Sequence, residues 1–239
     1  MCSSQVFESG CMMKKLKVKF LLWFMQTKLY YFIMFKLFPS LRFSTGYTLI
    51  RGWQYWMLYQ VLEPSDFVLI IDYSTATGMA IRRVTGGQFS HAAMCVEKNS
   101  VWEISEMLGS GYTKSTFYDL CREADRVVIL SSDLWDEKYK KAMVELCKCE
   151  EFQRAEYDVW YDMMNDRKVK TERGSLNVPI LACSELCYRS DFENRVKFDL
   201  EDVCGIGKPY ISPQGLYDGK GMKVKADSKL LKKPEELKK

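Results

Sequence analysis

The chain has 239 residues, one histidine and nine cysteines. Those two residue types set the chemistry open to it. His91 follows Gly86-Gly87-Gln88-Phe89-Ser90 and opens Ala92-Ala93-Met94-Cys95-Val96, an apolar run of strand length. It is the one imidazole able to move protons near neutral pH. Taken alone, a strand-end histidine with a satisfied hydrogen bond is the simpler reading. A cysteine nucleophile needs a thiolate, a base and a group that orients the base. Cys183 is the best-placed thiol, in Leu181-Ala182-Cys183-Ser184-Glu185-Leu186. A small residue precedes it, and polar residues follow in what reads as a first helical turn. A helix start lowers a thiol pKa from about 8.5, and its backbone N–H groups can hold an oxyanion. Ser184 and Ser90 adjoin the two groups as oxyanion or support candidates.

The orienting carboxylate depends on a hairpin. The sequence predicts one strand from Ser90 to Val96 and a second from about Ser100 to Ser105. A turn about Glu97 sets Glu103 opposite His91, whereas a two-residue turn at Lys98-Asn99 sets Glu106 there. Alternation of side chains along a strand leaves both registers open. Phe67-Val68-Leu69-Ile70-Ile71 and Arg126-Val127-Val128-Ile129-Leu130 read as buried strands, and Ile81 to Val84 as another short one. Ser132-Asp133 offers an N-cap to a helix over about 134–152. Tyr157 to Met164 reads as a second helix, and a third is entered at Cys183. Strands first and helices mostly second point to an α+β fold.

Hydrophobic residues make up 47% of the chain and aromatics 14%, which supplies a core and excludes a disordered chain. The net charge of +4 comes with no nucleic-acid motif, so no nucleic-acid partner is expected. Irregularly spaced cysteines, odd in number, read as free thiols in a reducing, cytoplasmic compartment. One histidine and no paired CxxC motifs argue against a structural metal site, and no cofactor is expected. Residues 1–45 form an apolar and basic N-terminal segment. Its part 14–38 is interrupted by Gln26-Thr27-Lys28, which suits a membrane-surface helix or one packed on protein better than a membrane span. Residues 219–239 read as a basic polar tail.

Several motifs occur in order: Leu62-Glu63-Pro64-Ser65-Asp66, Phe89-Ser90-His91-Ala92-Ala93-Met94, Val101-Trp102-Glu103, Tyr157-Asp158, Ala182-Cys183-Ser184-Glu185-Leu186 and Ile211-Ser212-Pro213. This set resembles the circularly permuted papain-like hydrolases of the YiiX/YaeF group, relatives of the NlpC-type peptidases, over about residues 60–218. Ser65 stands where that group usually has Gly. The resemblance implies a catalytic domain over 46–218, with an antiparallel sheet carrying His and Glu on early strands and Cys at the start of a late helix. It implies Cys183 as nucleophile and His91 as base, and it favours Glu103 over Glu106 as orienting residue. The implied activity is that of a thiol hydrolase of amidase or peptidase type, acting through a Cys thioester on an amide- or ester-containing peptide or lipid. A lipid-directed thiol acyltransferase or lipase, with residues 14–38 on a membrane surface, and an inactive binding module of the same fold are the alternatives.

Overall fold

The computed structural model describes residues 50, 52–73, 75–122, 124–157, 169–170, 177–178, 180–200 and 211–232. Residues 14–38 lie outside these, as does the helix expected from Tyr157 to Met164 apart from Tyr157 itself, which ends a strand. In chain order the elements are α1 (Gly52–Val61), β1 (Phe67–Ile71), α2 (Ala76–Thr85), β2 (His91–Lys98), β3 (Trp102–Leu108), β4 (Gly111–Thr116), α3 (Phe117–Arg122), β5 (Arg126–Ser132), α4 (Glu137–Cys147) and α5 (Glu150–Gln153). The two-residue strands β6 (Glu156–Tyr157), β7 (Val169–Lys170), β8 (Asn177–Val178) and β9 (Ile180–Leu181) follow, then α6 (Cys183–Ser190), α7 (Pro213–Tyr217) and β10 (Met222–Asp227). Among the described residues, no helix is long and apolar enough to cross a membrane.

The main sheet has six strands in the order β10-β5-β1-β2-β3-β4, with every neighbouring pair antiparallel. Both of its faces are covered, which explains the unbroken apolar run of β1. Phe67, Leu69 and Ile71 share one core layer with Ala92, Met94, Val96, Met143 and Leu186. Val68 and Ile70 share the other with Leu58, Ala93, Ile104 and Phe117. Helix α6 therefore lies against β2 on the first face.

Three local expectations change. Ile81 to Val84 is not a strand but the second half of α2. Thr75 accepts the Gly78 N–H as N-cap, and Gly86 ends the helix at φ 66°. The helix expected over 134–152 is two helices, and its cap is Asp136, which accepts the Tyr139 N–H, rather than Ser132-Asp133. The residues read as a polar tail supply β10, the edge strand paired with β5. Its charged positions misled the reading. Asp227 is buried because both its oxygens meet the Arg126 guanidinium, at 3.0 and 2.6 Å. The fold thus extends past residue 218.

Ser65, in place of the glycine usual in the resembling group, has φ 76° and is fully buried. Its Oγ has no hydrogen-bond partner. Its N–H bonds Cys95 O at 2.8 Å, so the turn into β1 is held against a left-handed penalty of about 1–2 kcal/mol.

Candidate active site

Cys183 is the first residue of α6, with Ala182 as an N-cap in extended conformation. Alanine has no capping side chain, so only the reciprocal half of a capping box forms, through Glu185. Its Oε2 takes the Ala182 N–H at 2.9 Å. Burial outweighs that bond and raises the Glu185 carboxyl. The far end of α6 is fixed by Asp191, which accepts from Tyr139 Oη at 2.6 Å and from the Val196 N–H at 2.9 Å. Both ends of the helix are anchored, so Cys183 is held in place at the end nearest β2.

His91 is the first residue of β2 and lies opposite Ile70 of β1. Its Nε2 is 2.7 Å from Glu106 Oε2. The turn linking β2 to β3 is Asn99 to Val101, and a bulge falls between Cys95 and Glu97. Ala93 then pairs with Glu106 and Glu97 with Glu103. His91 and Glu106 are therefore diagonal neighbours on one face, within reach of each other. Neither register expected from the sequence occurs.

Glu103, the orienting residue that the resemblance favours, is away from the imidazole. It lies three residues from Glu106, about 10 Å along the strand and on the opposite face, and pairs with Lys114 at 3.1 Å. The turn is the physical reason: it falls at Asn99 to Val101, so Glu103 pairs with Glu97, six residues from His91. The bulge beyond that pair inserts one residue in β2 and brings Glu106 onto the face of His91, which a count along a regular hairpin cannot foresee.

The Cys183 thiol and the His91 ring hydrogen-bond each other. Burial of Cys183 favours the neutral thiol. The His91 charge, that hydrogen bond and the backbone N–H groups of Ala92 and Ser184 outweigh burial and hold the thiol below its ordinary range. Burial of His91 likewise favours the neutral ring. The Cys183 charge and Glu106 outweigh it and raise the imidazole to about 10. Burial would raise Glu106, but its bond to His91 brings the carboxyl down. All three shifts run in the direction that favours thiolate, imidazolium and carboxylate in a row.

The hydroxyls of the two serines hold elements of the site in place. Ser184 Oγ donates to Ile211 O at 2.6 Å and ties α6 to the segment entering α7. What Ser184 turns toward the sulfur is its backbone N–H. Ser90 Oγ donates to Ile70 O at 3.1 Å and accepts the Asp72 N–H at 2.9 Å, so it fixes the start of β2. The N–H of Ala92 is the contribution that sequence reasoning missed. Backbone donors carry no residue signature, and only the placement of α6 against β2 reveals this one.

The six described cysteines with assigned state, Cys95, Cys121, Cys147, Cys149, Cys183 and Cys187, are free thiols. Burial pushes Cys95, Cys121, Cys147 and Cys187 upward. Cys183 moves the other way. Among the described residues, no group of three or more His, Cys, Asp and Glu side chains is arranged to hold a metal ion.

No protein-family model and no curated protein sequence matches the chain. Among solved structures, it is similar to YiiX of Escherichia coli O157:H7, a protein described as a metalloprotein of DUF1105. The two share 16% identity with a TM-score of 0.50, over 66% of this chain and 93% of that one. The α+β architecture built on a six-stranded antiparallel sheet is thus a YiiX-like fold.

Proposed function

We propose that the protein is a cysteine-dependent hydrolase that works by acyl transfer. The observation that carries this reading is the Cys183–His91–Glu106 row, in which the thiol is lowered while the other buried thiols are raised. The Cys183 thiolate adds to the carbonyl carbon of an amide or ester. The backbone N–H groups of Ala92 and Ser184, which favour the Cys183 thiolate, are the donors offered to the resulting oxyanion. His91 gives its proton to the leaving amine or alcohol as the carbonyl re-forms, which leaves a thioester on Cys183. His91, now neutral, takes a proton from water, which attacks the thioester and releases the acid. Glu106 holds the ring oriented and stabilises its charged form. The order of His, Glu and Cys along the chain supports a permuted papain-like arrangement of this fold.

The pH dependence of alkylation at Cys183 tests the reading. Labelling by iodoacetamide, read per cysteine by mass spectrometry, is expected to reach half its plateau well below the ordinary thiol value of about 8.5. It falls as pH drops through the lowered Cys183 pKa and the thiolate takes up a proton. In His91→Ala the imidazolium is gone and burial is opposed only by the Ala92 and Ser184 N–H groups, so the midpoint moves up. A wild-type midpoint at or above that of Cys149, unmoved in His91→Ala, would rule out the thiolate–imidazolium pair. On the alkaline side, turnover falls near pH 10, where His91 loses the proton it must donate.

A further inference from the structure

Arg82, on α2, is a cation the dyad does not use. Its guanidinium carbon sits 4.1 Å from the centroid of the Tyr73 ring. Its Nε and Nη1 are shielded from solvent and have no hydrogen-bond partner. Among the described residues it has no anionic partner. Arg126 and Arg195 are matched instead, by Asp227 and by Asp136 with Glu193. Guanidinium donors withdrawn from water without an acceptor are unfavourable. The Tyr73 face compensates for only part of that cost.

Arg82 sits at the dyad's end of the sheet. Gly78, one helical turn earlier on the same face of α2, packs against the residue preceding His91. A Cβ there would be 3.2 Å from Ser90 Cβ and 2.9 Å from Asp72 O. Tyr73, directly after Asp72, packs on the core layer that contains Phe89 and Cys183. Arg82 is partly exposed as a residue, and Nη2 is the guanidinium nitrogen that is not shielded, so a small oxyanion approaches along that edge.

We infer that Arg82, stacked on Tyr73, receives an oxyanion of the substrate, a carboxylate or a phosphate, beside Cys183 and His91. The guanidinium presents paired N–H donors that match either group. The inference rests on the acyl-transfer reading and narrows its substrates to amides or esters that carry a negative charge near the scissile carbonyl. Arg82 is then a specificity residue and takes no part in the bond-making step.

Two reagents that differ only in charge test this. Iodoacetate carries the oxyanion and iodoacetamide is its neutral counterpart. The ratio of their rates at Cys183 is expected to fall by about tenfold or more in Arg82→Gln. Arg82→Lys keeps the charge but not the fork and gives an intermediate ratio. Iodoacetate labelling of the wild type saturates, and acetate or inorganic phosphate competes with it. The stronger competitor identifies the oxyanion. An unchanged ratio in Arg82→Gln, including equal slowing of both reagents, would mean that Arg82 is structural and overturn the inference alone. Failure of iodoacetamide to single out Cys183 in the wild type would bring down the acyl-transfer reading, and this inference with it.

Discussion

Glu106→Gln is expected to slow acylation of Cys183 by about 10²–10⁴-fold, the range that follows from loss of a correctly held acid–base partner. The carboxylate is 4% exposed and bonds His91 Nε2 at 2.7 Å. Gln keeps the size of the side chain and removes the charge. The imidazolium loses its stabilising neighbour, and the thiolate it supports becomes less favourable. The amide can also present its NH₂ to the ring and hold the wrong tautomer. Glu103→Gln is the control, with a rate close to wild type, because Glu103 pairs with Lys114 and is removed from the ring. Release of p-nitrophenol from an activated ester reads both variants, with circular dichroism confirming that each is folded. Equal losses in the two variants, or a loss confined to Glu103→Gln, would contradict the assignment.

The second large effect concerns stability. Asp227→Ala is expected to destabilise the fold by about 3 kcal/mol, as removal of one member of a buried ion pair does. Both Asp227 oxygens face Arg126, and the two side chains are 3% and 17% exposed. Among the described residues, the substitution leaves the guanidinium with only Gln88 Oε1 as hydrogen-bond acceptor, at 2.8 Å. It also frees the end of β10, where Ser228 exchanges two hydrogen bonds with Val127. Asp133→Ala, which breaks only the exposed contact with Lys223, is expected to cost far less. Urea denaturation of the three proteins measures the differences. A value for Asp227→Ala within about 0.5 kcal/mol of wild type would show that β10 is dispensable.

Much of the site was legible because its chemistry is sparse. A lone histidine at the head of an apolar run fixes the position of any imidazole base. Cys183 was singled out by a small residue before it and a helix pattern after it, and α6 begins there. Strands β1, β2, β3 and β5 were legible from short apolar runs, and β1 from a run that both faces of the sheet bury. Local patterns failed where the third dimension decides. The turn at Asn99 to Val101 removed Glu103 from His91 and the bulge in β2 set Glu106 on its face, and no residue type announces a bulge. The charged surface of β10 hid an edge strand, since polar alternation there is normal. In α2, Thr75 and Gly86 cap a stretch too short for its apolar positions to separate helix from strand. Neither the Ala92 N–H nor the unmatched Arg82 has a sequence signature, because both are defined by what packs beside them.

The most direct test of acyl transfer is to trap the thioester. Wild-type protein, treated briefly with an activated ester and quenched in acid, is expected to carry one acyl group, mapped by mass spectrometry to the peptide containing Cys183. The adduct is absent from Cys183→Ala and strongly reduced in His91→Ala. An adduct that persists in Cys183→Ala, or that is spread over Cys149 and other thiols without regard to His91, would contradict the account.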